Sequence, residues 1–308
     1  MATDNILRSY GDSSAKEDVV LNAIEILTAR EEQVMNLLGK STAIATVHSY
    51  LTDTLLTAAS LAVEESADYT ATALTTPTRL TNVVQKVAAP FKVSHTQEFI
   101  SHYHGENELE RQSSKALMNW GNAAEFDLIR STLVSGASGT TVKMSGIIEA
   151  TSKANNHTSH NSGTVWSASI LDGLMKDCWE NSNGDVATDL VMGSFLRKAT
   201  DDFTQKSNVV VNNPGGQTTI VRTVTTYETS FGTVRIRVHR YIQQSGDATG
   251  RVLAIRPDKL KVAYLKKPYI DTSLARSGPY DFRAVVGDLT LEAHNQNSCF
   301  FADGFDKD

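Results

Sequence analysis

The sequence lacks most of the features that announce chemistry. It holds two cysteines in 308 residues, Cys178 and Cys299. They lie far apart and neither belongs to a CxxC pair, which argues against a disulfide framework or a zinc knuckle and for two free thiols in a reducing cytoplasm. No apolar run approaches the roughly 20 residues a bilayer-spanning helix needs. Met1-Ala2-Thr3-Asp4 has no basic start and no apolar stretch follows it, so no secretory signal is expected and a soluble compartment is. Basic charge is not in excess: 29 Lys and Arg stand against 35 Asp and Glu, a formal net of -6, unlike a strongly basic nucleic-acid binder. The chain contains no GxGxxG, Walker lysine loop, HExxH or Gly-x-Ser-x-Gly, so the common nucleotide, zincin and hydrolase signatures are missing. Gly136-Ala137-Ser138-Gly139 is glycine-rich but follows a helical pattern instead of opening one, so it reads as a C-cap and linker, not a phosphate loop. Internal repeats and low-complexity tracts are also missing.

What is present is a series of elements in an unusual order. Val20, Ile24, Leu27, Val34, Leu37 and Leu38 recur at helical spacing over Ala15 to Leu38, with Gly39 as the expected C-cap. From Thr52 to Ala89 threonine is frequent, large apolar residues thin out, and Pro77 and Pro90 punctuate the chain; this predicts a long β-hairpin with little buried area. The strongest helix runs from about Glu108 to Val134, opened by a capping box at Asn107 and Glu110 and striped by Leu109, Ala116, Leu117, Trp120, Ala124 and Leu128. Gly136 and Gly139 are expected to stop it. A polar loop is expected over Asn155 to Gly163.

A mixed α/β region follows. A helix with Ile170, Leu174 and Cys178 on one face ends at Asn183-Gly184, Leu190 to Met192 is a short buried strand, and Ser194 to Gln205 is another helix. Strands are predicted over Asn208 to Val211, Thr218 to Val224, Thr233 to Ile242, Val252 to Ile255 and Lys261 to Leu265. The last strand alternates most cleanly: Val285, Gly287, Leu289, Leu291 and Ala293 against Val286, Asp288, Thr290, Glu292 and His294. Period two over that length predicts a half-buried strand.

Candidate chemistry is thin. His102-Tyr103-His104 has a metal-site spacing, and His95 could supply a third imidazole for zinc or iron. Glu106 and Glu108 are the carboxylates that follow it, with no second cluster to close a site, so polar residues ahead of a helix start explain the cluster more simply. His157 and His160 fall in the polar loop, where a mobile backbone would hold ligands poorly. Arg235, Arg237, His239 and Arg240 form a basic stretch with Tyr241 as its sole aromatic neighbour, which reads as a solvated strand face or one pairing with acids on another subunit. Two elements, the arm and the long hairpin, cannot stabilise themselves, and an isolated two-stranded hairpin is marginal in water. Their persistence implies extensive contacts with other subunits.

The order of arm, hairpin, long helix and α/β part resembles the HK97-like major capsid proteins of tailed double-stranded DNA phages, across nearly the whole chain. A narrower resemblance, to the subfamily with a short unfused N-terminal arm, is carried by Ile24, Leu27, Thr28, Glu31 and Leu37-Leu38-Gly39-Lys40 near the start. Near the end it is carried by Leu274-Ala275-Arg276-Ser277-Gly278, Arg283 and Val286-Gly287-Asp288-Leu289-Thr290-Leu291-Glu292. The chain departs from that family's pattern at Asp288, where Glu is usual, and at Ser298-Cys299-Phe300, where a His-Gly ending is usual.

The resemblance implies an α+β fold divided as an N-terminal arm (1–50), an E-loop hairpin (51–98), a P domain with the spine helix (99–160), a mixed α/β A domain (161–261) and return strands with the C-terminus (262–308). It implies hexamers and pentamers in an icosahedral head, assembled in the host bacterial cytoplasm around DNA that is held weakly and without sequence preference. Partners implied are portal, separate scaffolding and decoration or cement proteins, with no membrane, metal or cofactor and no catalytic role. Subunit contacts are expected at Thr72, Thr76, Arg79, Lys86, Glu108, Arg111, Arg235 and Arg237. One branch of that fold cross-links a lysine to an asparagine beside a catalytic carboxylate; Lys86, placed on the hairpin, is the possible donor here, and non-covalent packing is the expectation. The alternatives are an encapsulin-type compartment shell, a tail or decoration protein, and an oligomeric metal-dependent enzyme using His102 and His104.

Overall fold

The computed structural model describes residues 33–55, 60, 62–65, 68, 74–100, 107–136, 139–154, 156–202, 211–212, 218–219, 225–243, 247 and 249–306. A single turn of helix, α1 (Gln33–Leu37), runs straight into β1 (Gly39–Thr42), followed by β2 (Val47–Thr52), β3 (Thr78–Val83), β4 (Gln85–Ser94) and α2 (His95–Phe99). Most of the helix expected over Ala15 to Leu38 lies outside the described residues. Gly39 is not a C-cap: it opens β1, which pairs in parallel with a later strand from its first residue, Gly39 opposite Lys261.

The long helix α3 (Glu108–Arg130) has 23 residues, about 35 Å at 1.5 Å each. Asn107 caps it by accepting from the backbone N–H of Leu109. Ala116, Trp120, Ala124 and Leu128, four apart, form its buried stripe, while Leu117 is exposed. The helix ends at Arg130, short of the expected Val134. Residues 131–134 turn away so that Val134 bridges to Lys143, and Gly146 then donates to the Ser131 carbonyl at 2.8 Å. Tertiary pairing, not Gly136 or Gly139, stops the helix.

Next come α4 (Ile147–Lys153), β5 (His157–Thr164), α5 (Ala168–Asn181), β6 (Asp189–Met192), α6 (Ser194–Asp202), and the two-residue strands β7 (Val211–Asn212) and β8 (Thr218–Thr219). The chain closes with β9 (Thr226–Thr229), β10 (Gly232–Val238), β11 (Gly250–Ile255), β12 (Leu260–Asp271), β13 (Tyr280–Ala293) and β14 (Phe300–Phe305). The expected loop over Asn155 to Gly163 is largely strand β5, which adds to the sheet edge in parallel with β14, His157 opposite Phe301. Its polar residues suit an edge that half faces water. Gly304 (φ +88) makes this pairing possible, because a Cβ there would sit 1.9 Å from the His160 carbonyl oxygen.

Two main sheets organise these elements. One has four strands in the order β1-β12-β13-β4, and the other six in the order β5-β14-β11-β6-β10-β9. β2 and β3 form a separate two-stranded ribbon. The expected hairpin over Thr52 to Ala89 is therefore divided. Its second strand ends at Val83, and β4 pairs with β13 in the four-stranded sheet, from Gln85 opposite Leu289 to Ser94 opposite Tyr280.

The six-stranded sheet is buried on both faces by two apolar clusters. Val191, Leu253, Ile255 and Phe301 point into the core built on α3. Leu190, Met192, Val252, Ala254, Phe300 and Ala302 point into a second core with α5 and α6. Strands buried on both faces read as continuous apolar runs, as β6 does.

In β13 the expected face is buried as predicted: Val285 and Leu289 are 0% exposed and Leu291 is 1% exposed. The second face is not solvated as expected. Thr290 is 0% and Glu292 6% exposed, because β1 and the ribbon lie over that end of the strand. Gly287 is needed where β13 crosses α3: an added Cβ would lie 2.6 Å from Trp120 Cζ2. Trp120 cannot retreat easily, since its Nε1–H donates to the Val87 carbonyl at 3.0 Å. Gly287→Ala is expected to cost about 1–3 kcal/mol by overpacking, read as a lower urea midpoint of the purified chain; an unchanged midpoint would contradict this.

Candidate assembly surfaces

The ribbon starts from strands whose residues alternate between two faces. In the register Val47 opposite Val83 to Thr52 opposite Thr78, one face carries His48, Tyr50, Leu80 and Asn82, and the other Val47, Ser49, Leu51, Arg79 and Thr81. Val47 and Leu51 are 51% and 64% exposed, and Ile44, Leu55 and Leu74 nearby exceed 85%. Clustered apolar exposure of this kind marks interaction surfaces. From Asp53 to Thr78 the chain carries Asp53, Glu64, Glu65 and Asp68 and no lysine, arginine or histidine. The outer part of the ribbon is thus apolar and acidic.

Its root is held by buried polar groups. The Asn82 amide donates to the carbonyls of Ser145 (3.1 Å) and Leu291 (2.9 Å) and accepts from the N–H groups of Ser145 and Val83, both at 2.9 Å. Gln85 donates to Asp127 at 2.5 Å and accepts from Met144 N–H at 3.1 Å. Burial pushes the Asp127 carboxyl above the ordinary range, against the Gln85 hydrogen bond and the Lys143 charge. Glu292 accepts from Ser41 Oγ at 2.6 Å and lies 2.6 Å from His48 Nε2 and 3.2 Å from His294 Nε2.

A second surface lies on the four-stranded sheet, on the face opposite α3. Lys86, Ala88, Pro90 and Lys92 alternate outward along β4 and are exposed. Their register partners on β13 are Asp288, Val286, Ala284 and Phe282. Lys266 and Tyr269 continue the face on β12. The Lys92 ammonium sits 4.9 Å from the ring centres of both Tyr280 and Phe282. The result is a small-residue and aromatic patch edged by lysines.

The expected contact residues fall in different places. Thr72 lies outside the described residues. Thr76 and Arg79 are exposed on the ribbon, with Arg79 donating to Ser49 Oγ at 2.8 Å. Lys86 is not on the hairpin but on β4, and no lysine lies between Lys40 and Lys86, so the outer hairpin has no lysine for a cross-link. Glu108 and Arg111 pair with each other at 2.6 and 2.9 Å within α3.

Arg235 is exposed, while Arg237 binds buried Asp189 at 2.7 Å. The basic stretch is not one solvated face, because His239 is 1% exposed and its Nε2 lies 3.0 Å from Glu125, in the middle of the body. Glu125 is fully buried and also accepts from the N–H groups of Val34 (2.7 Å) and Met35 (2.8 Å). This clamp joins α1, α3 and the residues after β10. Sequence reasoning missed it; an acid on the buried stripe of α3 was the available signal.

Among the described residues, no group of three or more His, Cys, Asp or Glu could hold a metal. His102 and His104 lie outside the described residues. His95 Nε2 is 3.9 Å from Asp281, and the rings of His157 and His160 stack near Phe301 and Phe305. Both cysteines are free and buried. Burial pushes the Cys299 thiol up to about 11 and raises Cys178 as well, which disfavours the reactive thiolate. A cleft of about 590 Å³ is lined by Trp166, Phe195 and Ala199 with Lys198, Asp202 and Asp306.

Known structures share this fold. The chain is similar to the capsid protein of Myoviridae phage XM1, with a TM-score of 0.64 and 12% identity over 98% of this chain and 100% of that one. It is similar to a Mycobacterium phage Bobi structure, with a TM-score of 0.65 and 10% identity over 94% and 96% of the two chains. It is also similar to the SrpI encapsulin of Synechococcus elongatus, with a TM-score of 0.62 and 11% identity over 98% and 96%. No curated protein matches by sequence. These likenesses establish the HK97-like α+β fold that the residue patterns suggested. A profile of the SU10 major capsid protein family matches residues 8–305, so the chain belongs to that family and is a capsid shell subunit.

Proposed function

We propose that the chain closes into pentamers and hexamers by laying its ribbon on the neighbouring subunit, and that these capsomers form an icosahedral phage head around packaged double-stranded DNA. One observation carries this reading. The acidic, apolar ribbon and the lysine-edged face of the four-stranded sheet match in charge and apolarity, and the residues that carry the match, Leu51, Leu55 and Leu74 on the one and Lys86, Ala88, Pro90 and Lys92 on the other, are exposed. Contact of one surface with a different surface on the next copy is heterologous, and such contacts close into rings. In this reading the chain up to the start of β2, within the expected 1–50, is the arm, the ribbon with its outer loop is the E-loop, α3 is the spine of the P domain, and the six-stranded sheet with α5 and α6 is the A domain. Thr72, Thr76 and Arg79 on the hairpin and Lys86 on the sheet face are inter-subunit contacts, and Arg235 faces a neighbour around the ring. Portal, scaffolding and decoration proteins act as separate partners in the host cytoplasm. The subunit has no catalytic role, and a net charge of -6 suits DNA that is confined more than bound.

Negative-stain microscopy of the expressed chain tests the assembly, with closed hollow shells expected; tubes or open rings alone would defeat it. The similarity to an encapsulin supports a second reading, a non-viral compartment, which predicts a co-purifying cargo enzyme. The charge match has its own test. Reversing Lys86, Lys92 and Lys266 to Glu is expected to raise the protein concentration needed for assembly by roughly tenfold, as about 1.4 kcal/mol spread over three part-exposed pairs implies. Glu64→Lys with Glu65→Lys is expected to restore it. An unchanged threshold by light scattering would remove charge pairing from the contact.

A further inference from the structure

The root of the ribbon contains a titratable cluster that the shell contacts do not use. Glu292, near the end of β13, is 6% exposed. Its Oε1 takes Ser41 Oγ from β1 and His48 Nε2 from β2, each at 2.6 Å, and its Oε2 lies 3.2 Å from His294 Nε2. Tyr50 of β2 packs edge-on against His294, 5.3 Å between ring centres. Lys261 of β12 stands opposite Glu292 in register. Those are the titratable and charged side chains that face the carboxylate from β2, β12 and its own strand; β1 contributes only a hydroxyl there. His48 and Tyr50 sit on the first strand of the ribbon, so this carboxylate ties the ribbon to the body.

We infer that Glu292, clasped by His48 and His294, is a pH-sensitive joint that holds the ribbon's root most tightly in mild acid. A neutral imidazole can donate one hydrogen bond from Nε2, and a protonated one adds a full charge to it. Histidine is the side chain whose charge ordinarily changes between about pH 5 and 8. Burial would raise the Glu292 carboxyl, but the hydrogen bonds from Ser41 and His48, the His48 charge and the His294 hydrogen bond outweigh it, and the net shift is downward. A lowered carboxyl keeps its stabilising charge above the unfolded value near 4.3 and loses it as pH falls through the folded one. A protonated imidazole adds an attraction to the carboxylate that a neutral one lacks. Both conditions are met together only in mild acid. At alkaline pH the charge attraction is gone; in strong acid two cations face an uncharged carboxyl.

The inference rests on reading the ribbon as an inter-subunit arm only for its consequence in the shell. Its test is hydrogen exchange of the purified full chain, corrected for intrinsic rates, over the peptides covering β2 and β3. Protection there is expected to rise by up to about fivefold between pH 8 and 5.5, the range for a partly exposed charge pair, and to fall again below about pH 4. In His48→Gln, which keeps a donor without a titrating charge, the rise is expected to shrink while protection at pH 8 stays as in the parent. His294→Gln serves as the second variant if the first folds poorly. A flat profile in the parent chain, or an undiminished rise in both variants, overturns the joint. Failure of the chain to form shells would instead count against the proposed function and leave this profile as it is.

Discussion

Removing residues 55–75 is expected to leave a folded chain that forms no shells. The deletion spares both strands of the ribbon, whose last pair is Thr52 opposite Thr78. Asp53, Thr54, Thr76 and Pro77 then form a four-residue connection, a length common in hairpins. The root contacts of Asn82, Gln85 and Glu292 all lie outside the deleted stretch, so the body keeps its packing. What disappears is Leu55 and Leu74, exposed by 96% and 87%, together with Glu64, Glu65 and Asp68. Those residues gain nothing within their own subunit. On the proposed ring contact, their loss removes an inter-subunit contact repeated around every ring, and stable interfaces usually need about 1,200–2,000 Å². Size-exclusion chromatography, microscopy and a urea titration together decide the matter. Shells of normal size from the deleted chain would refute the ribbon's role, and a chain that no longer unfolds cooperatively would show that the loop supports the subunit itself.

Glu125→Ala is expected to be the most destabilising single substitution, costing about 3–5 kcal/mol, the scale for breaking a buried charged network by removing one partner. The side chain is fully buried, and its loss strands the N–H groups of Val34 and Met35 and the Nε2 of His239. No water can replace it without a cavity forming beside Leu128 and Ile129, which are also fully buried. Glu125→Gln is a milder change: its oxygen can still accept, but its NH₂ faces one backbone donor, for an expected cost of about 1–3 kcal/mol. Urea midpoints measured on the chain lacking residues 55–75 keep shell formation from masking the difference. If Glu125→Ala lost under 1 kcal/mol, the clamp would not be a stabilising centre of the body.

The elements most legible from sequence were those governed by local periodicity. The stripe on α3, the inner face of β13 and the short buried strand β6 follow from the geometry of a single helix or strand, and they stand where the spacing put them, except that Leu117 leaves the α3 stripe for the surface and Leu109 is only half-buried. Boundaries set by pairing were less legible. The helix stops at Arg130 because Val134 finds Lys143, β4 leaves the hairpin because β13 offers it an edge, and polar β5 becomes a strand because β14 has a free side. The outer hairpin was readable as a segment with little to bury, and its acidic composition is plain in the residues from Asp53 to Thr78.

The sequence by itself determined the shell subunit's plan: no catalytic signature, one long helix, a poorly buried hairpin and a final alternating strand, in an order that resembles one capsid fold. Tertiary structure alone decided the polar centres. Glu125 with His239 are 114 positions apart and His48 with Glu292 are 244 apart, so no local spacing joins either pair. Their chemistry exists only where burial removes competing water and the fold supplies every partner. That is why a histidine in an apparently solvated basic stretch turned out to lie in the core, and why the root of the ribbon holds a charged joint that no periodicity announces.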